Sequence, residues 1–351
     1  MSANKSNIPK RTIYFDYLRV FSTLAVMVLH VSAQNWHVTD VNGVDWQIFN
    51  FYDSIVRWGV PVFVMISGAL FLDRDIPLRI IYKKYIFRMT MSFFVWSTIY
   101  VLFEKGSKSD RVVMFITGHY HMWFILMIIG IYMCIPFIKP IVEHDFKIKY
   151  FIVLAIFFAY LIPEIKQLAE DFGNALVLKG INAIYKSTNN MNMHMILGFV
   201  CYFVLGYYLN KISLNKKQRI ILYTLGVCGF LSTIVLSLIV SLKTQTPCGQ
   251  YYGNFNVNIL LEAVSVFTWF KYRKYDNRTI NAIITKLSKY SFGAYLVHAL
   301  VLEQLNLQMG LNSLSFNPIF SVISIGMFVF IVSYVISAVI NQVPILKKYI
   351  V

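Results

Sequence analysis

Along the chain, long apolar runs alternate with short polar intervals. Ten apolar segments stand out, at 13–33, 54–72, 86–103, 121–138, 150–163, 193–209, 220–242, 256–270, 288–307 and 317–342; the fifth and eighth are the shortest. Each reaches or approaches the ~20 residues an α-helix needs to cross ~30 Å of hydrocarbon. Lipid offers no partner to free backbone groups, so segments of this length have to be helical. The pattern predicts an all-α, polytopic integral membrane protein with about ten transmembrane helices, forming one domain over residues 1–351. The longest outer loop, near 164–192, is expected to fold over the membrane face. There is no internal repeat or low-complexity stretch.

Basic residues orient these segments. With the N-terminus in the cytoplasm and loops assigned alternately, 23 Lys and Arg fall inside and eight outside, Arg57 and Lys105 among the latter; Arg19 lies within the first span. That bias puts both termini in the cytoplasm. Composition agrees: the 351 residues are 58% hydrophobic and 14% charged, against about 25% charged in a soluble domain. The net charge of +16 then reads as a topology signal, and no nucleic-acid partner is expected. Lys10, Arg11, the apolar run and the small residues Val31-Ser32-Ala33 mimic a secretory signal. Asp16 and Arg19 interrupt that run, and cleavage would spoil the charge asymmetry. The chain stops nine residues after its last span, so no appended soluble domain is expected.

Cys134, Cys201, Cys228 and Cys248 show no Cys-x-x-Cys pair and no zinc-like spacing, and the seven histidines are scattered. Neither a disulfide framework nor a metal site is expected. Trp36, Trp46, Trp58, Trp123 and the Tyr251-Tyr252-Gly253-Asn254 loop are assigned to the outer aromatic belt, where some could stack on sugar rings.

The first span, "DYLRVFSTLAVMVLHVS" from Asp16 to Ser32, carries an acid, an arginine and a histidine. Ionisable groups inside a membrane normally mark a function or a buried pair. Arg19 and His30 are eleven positions apart. That spacing places them on one helix face, about 16 Å apart along the axis. Asp16 shares the same broad stripe. The plain alternative is that Asp16 and Arg19 sit at the inner surface, with Arg19 snorkelling, and His30 at the outer interface. His298 shares a stripe with Ser291 and Tyr295; it either faces a cavity or joins two helices by a hydrogen bond. His37, His144 and His194 read as loop or interface residues. Ser67-Gly68 lacks a nucleophile elbow and reads as a close-packing pair.

Arg19-x10-His30 resembles the arginine-x10-histidine signature of the acyltransferase-3 family of integral membrane acyltransferases. Three further blocks are similar to that family's and stand in its order: "GVPVFVMISGALFL" (Gly59–Leu72), "HMWFILMIIGIY" (His121–Tyr132) and "SKYSFGAYLVHALVL" (Ser288–Leu302). The family often carries Arg-x-x-Arg before its third span; here Tyr85 replaces the first arginine, Arg88 carries over, and Lys84 could complete a basic face.

The resemblance implies transfer of an acyl group, acetyl first among candidates, from cytosolic acyl-coenzyme A to a hydroxyl of an extracytoplasmic envelope glycan or lipid-linked sugar. It also implies a multi-pass protein of a bacterial cell membrane, surrounded by lipid, with no permanently bound cofactor. His30, Arg19 and Asp16 become the catalytic candidates, with Asp16 expected to neutralise Arg19. Arg19, Lys84 and Arg88 are the donor-binding candidates. His121, Trp123 and His298 are those for the acceptor. Arginine suits phosphate because it binds bidentately and stays charged, and histidine suits a general base at neutral pH. A polytopic transporter with buried charge is the competing reading, but no inverted repeat supports it.

Overall fold

The computed structural model describes residues 11–104, 106–191 and 198–349, without the side chains of residues 345, 348 and 349. Lys10, Lys105, His194 and the expected start of a segment at 193 therefore lie outside the described residues. Among the described residues every regular element is helical. The chain runs α1 (Ile13–Trp36), α2 (Val44–Val56), α3 (Gly59–Phe71), α4 (Leu78–Ile80), α5 (Phe87–Phe103), α6 (Lys108–Thr117), α7 (Trp123–Val142), α8 (Asp145–Ala155), α9 (Ile162–Phe172), α10 (Ala175–Asn189), α11 (Phe199–Lys211), α12 (Lys216–Thr244), α13 (Val257–Tyr272), α14 (Arg278–Met309), α15 (Pro318–Ile340) and α16 (Pro344–Tyr349). Wider π-helical turns, Ile81–Ile86 and Ile156–Leu161, join α4 to α5 and α8 to α9.

Among the described residues, seven helical stretches are long and apolar enough to cross a membrane: Ile13–Trp36, Val44–Phe71, Leu78–Phe103, Trp123–Val142, Asp145–Phe172, Lys216–Thr244 and Pro318–Ile340. Three segments read as spans from the sequence fall outside that set. Helices α11 and α13 have only 13 and 16 residues, and the 32-residue α14 interrupts its apolar run with Lys289, His298 and Glu303.

Polar contacts gather the helix ends into two groups. At one end Tyr14 donates to Asn210, Tyr17 to Asn281, Lys139 to Asp75 and Lys271 to the carbonyls of Leu209 and Ile212. At the other, Asn35 reaches Asn312, Tyr251 donates to Asp171 and Asn256 to Glu164. Between them α1 runs through the middle. It is flanked by α2, α14 and α15 around Met27, Val31 and Phe49, and by α3 and α13 around Leu18, Met65 and Phe267. Helices α3 and α11 meet backbone to backbone. A Cβ at Gly68 would stand 1.8 Å from the Phe203 carbonyl oxygen, and one at Gly206 would stand 2.0 Å from that of Met65. Only glycine permits this approach, as the close-packing reading of Ser67-Gly68 expects.

Several expectations are corrected. The interval before residue 54 is not loop: α2 occupies it, burying Trp46, Phe49, Asn50 and Asp53. A two-residue break at Arg57-Trp58 then separates α2 from α3. The stretch 164–192, expected as the longest loop, holds most of α9 and the whole of α10. Trp36, Trp46, Tyr251 and Tyr252 are not belt residues; they are buried in the protein, where the Tyr252 hydroxyl meets Asn50.

Candidate active site

The N-terminal half of α1 presents its charges to one end of the bundle. Asp16 is almost fully buried, and its carboxylate is held by Arg11 through two hydrogen bonds of 2.6 and 2.7 Å, by Ser288 at 2.7 Å and by Thr285 at 3.3 Å. Arg19 stands 3.5 Å away, a loose second cation. The acid expected to neutralise Arg19 thus serves Arg11 first, and also ties α1 to α14. That leaves most of the Arg19 guanidinium available to whatever occupies the space beside it.

That space is a series of cavities following α1. One of about 700 Å3 is bounded by Arg11, Asp16, Arg19, Asp73 and Arg74. The next, about 300 Å3, shares Arg19 and Leu70 with it and is lined further in by Val26, Val60, Ser67, Arg88, Phe124 and Tyr295. Arg88 also borders a basic recess of about 590 Å3 with Lys83, Lys84 and Lys347. The π-helical turn carries Lys83 and Lys84 directly before Arg88, a placement frequent at functional sites. The innermost cavity, about 130 Å3, shares Val26, Val60, Phe124 and Tyr295 with the second and adds His30, Arg57, His121, Trp123 and Asn254. Arg19 and His30 therefore line cavities that share walls along α1. Ser67, read as packing only, lines one of them too.

His30 is one member of a stacked pair. Its Nδ1 lies 2.7 Å from Nε2 of His298, with ring centroids 4.9 Å apart. On its other side the Nδ1 of His298 meets the Tyr295 carbonyl oxygen. A carbonyl only accepts, so Nδ1 of His298 carries the proton. Its neutral Nε2 then accepts from Nδ1–H of His30, and Nε2 of His30 keeps its lone pair. The chain of donors fixes the tautomer that a general base needs.

A second pair stands beside it. Nε2 of His119 is 2.9 Å from Oε1 of Glu303, and its Nδ1 is 3.0 Å from Nδ1 of His121. The His121 ring meets that of His298 edge-on, centroids 4.9 Å apart, and its backbone carbonyl accepts the Tyr295 hydroxyl. Burial, reinforced by His298, pushes the His121 imidazole well below its ordinary range, so the ring is neutral. The histidines are thus not scattered: His30, His119, His121 and His298 converge. Among the described residues no group of three or more His, Cys, Asp or Glu is arranged to hold a metal ion.

Sequence reasoning missed Arg57, Asn254 and Glu303. Arg57 was counted as a topology charge, and nothing in a linear pattern shows that the break after α2 turns it toward His30. Trp123 lines the same cavity, with its ring against Phe199 at 5.6 Å.

The model of the acyltransferase domain family Acyl_transf_3 matches residues 12–338, nearly the whole chain. The chain belongs to the acyltransferase-3 family and is a membrane acyltransferase. Neither the curated proteins nor the solved structures contain a match to it.

Proposed function

We propose that the protein transfers an acyl group, acetyl in the first instance, from cytosolic acyl-coenzyme A to a hydroxyl of an extracytoplasmic envelope glycan or lipid-linked sugar. On this reading the chain crosses a bacterial cell membrane about ten times with both ends in the cytoplasm. The observation that carries it is the line of cavities joining a cluster of cations to a histidine with a free lone pair.

Phosphates of the donor bind at Arg19, Arg88 and Lys84, where guanidinium and ammonium groups match their charge. The extended arm lies along α1, whose Arg19–His30 separation of about 16 Å suits such a length. The acceptor hydroxyl approaches from the side of His121, Trp123 and Asn254. Nε2 of His30 removes its proton, and His298 steadies the ring. The oxygen forms a bond to the thioester carbonyl carbon. The C–S bond then breaks, and the leaving thiolate takes up the proton held on Nε2 of His30, which restores the neutral base.

The test uses the purified protein in liposomes with labelled acetyl-coenzyme A. The wild type is expected to release thiol, and Arg19→Ala is expected to raise the donor dissociation constant about 10-fold, the scale of a lost charge-assisted contact. Absence of donor binding to the wild type would return the transporter reading to the front.

A further inference from the structure

Arg57 is held in place while part of its hydrogen-bonding capacity is unused. The molecule offers its own standard. Arg11, which serves structure, gives both Nε and Nη2 to Asp16. Arg57 gives only Nη2 to Asp53, at 2.8 Å, while its Nε–H is buried and has no acceptor. Its position is nevertheless fixed from two sides. Asp53 is itself buried and takes the Ser32 hydroxyl at 3.1 Å, and the guanidinium lies 4.3 Å over the Tyr252 ring. Arg57 and His30 line the same small cavity. A cation fixed from two sides and lining the same cavity as a base is what charge developing on a carbonyl oxygen requires.

We infer that Arg57 is the oxyanion-binding residue of the acyl transfer. The inference rests on the proposed reaction. When the acceptor oxygen adds to the thioester carbonyl carbon, the C=O π pair moves onto the carbonyl oxygen. That oxygen accepts from the Arg57 guanidinium while the acceptor's proton rests on Nε2 of His30. Collapse re-forms the C=O bond and breaks the C–S bond, the thiolate takes the proton from Nε2 of His30, and Arg57 is freed. Asp53 and Tyr252 are positioning residues that hold the fork for this step.

The experiment compares wild type, Arg57→Gln and Arg57→Lys in liposomes, following thiol release from acetyl-coenzyme A with water, glucose or glucuronate as the acceptor. Donor binding and thermal midpoint are measured separately. Arg57→Gln is expected to lower kcat about 10²–10³-fold equally with all three acceptors, with the donor dissociation constant within about twofold of wild type. Arg57→Lys, which keeps the charge and loses the fork, falls between and serves if the glutamine variant does not fold. Wild-type turnover in either folded variant overturns the inference. So does a loss confined to glucuronate, which would make Arg57 an acceptor-charge sensor. A wild type that releases no thiol with any acceptor sinks the acyl-transfer reading and takes this one with it.

Discussion

The two histidine pairs, His30–His298 and His119–His121, lie side by side and share a ring contact, yet they end on different groups. The first ends on a backbone carbonyl, which is neutral and can only accept. The second ends on the carboxylate of Glu303, whose side chain is 38% exposed. A neutral terminus fixes a tautomer without trapping a proton, so His30 can take one up and release it again. The Glu303 carboxylate and the His121 ring hold His119 from both sides, so it is fixed in place. The difference separates a pair suited to turnover from one suited to shaping the cavity wall.

Removing the imidazole proposed as the base breaks this contrast most directly. His30→Ala is expected to lower thiol release about 10²–10⁴-fold while leaving donor affinity near wild type; an undiminished rate would take the base role away from His30. His298 sharpens the comparison. His298→Ala deletes one hydrogen bond and should cost about two- to tenfold in kcat. His298→Gln, whose amide oxygen can accept from Nδ1–H of His30, should recover most of that loss. Equal rates for the two variants would mean that His298 does not orient the ring. The smallest effect is expected at the second pair. Glu303→Gln should keep kcat within about twofold and lower stability by about 0.2–1 kcal/mol, the range for a half-exposed charged contact, read as a small drop in thermal midpoint. A loss as deep as that of His30→Ala would show that both pairs handle protons.

How much of this could be seen in the sequence follows from geometry. Arg19 and His30 were legible because one unbroken helix carries both, and helical spacing fixes their common face. The His30–His298 bond was not, since 268 residues separate its partners and no local pattern encodes such a meeting. Helix α2 was missed because hydropathy looks for lipid-facing runs. Its buried side includes Asn50 and Asp53, which are satisfied by Tyr252, Ser32 and Arg57. Arg57 gave no further signal for the same reason: a charge at a span end is usually a topology signal, and only the fold brings it into one cavity with His30. The aromatic residues at 36, 46, 251 and 252 resemble an interfacial belt in composition, but they pack inward.

The glycine contact between α3 and α11 has a mechanical consequence. Where two main chains touch there is no side chain to compress, so neither rod can slide closer. Ser67, next to Gly68, lines the second cavity, and the weld makes that wall an anvil. On the proposed reading, any room for a thicker donor arm must come from the rest of the lining, where Met89 and Phe292 present flexible and aromatic side chains instead of bare backbone.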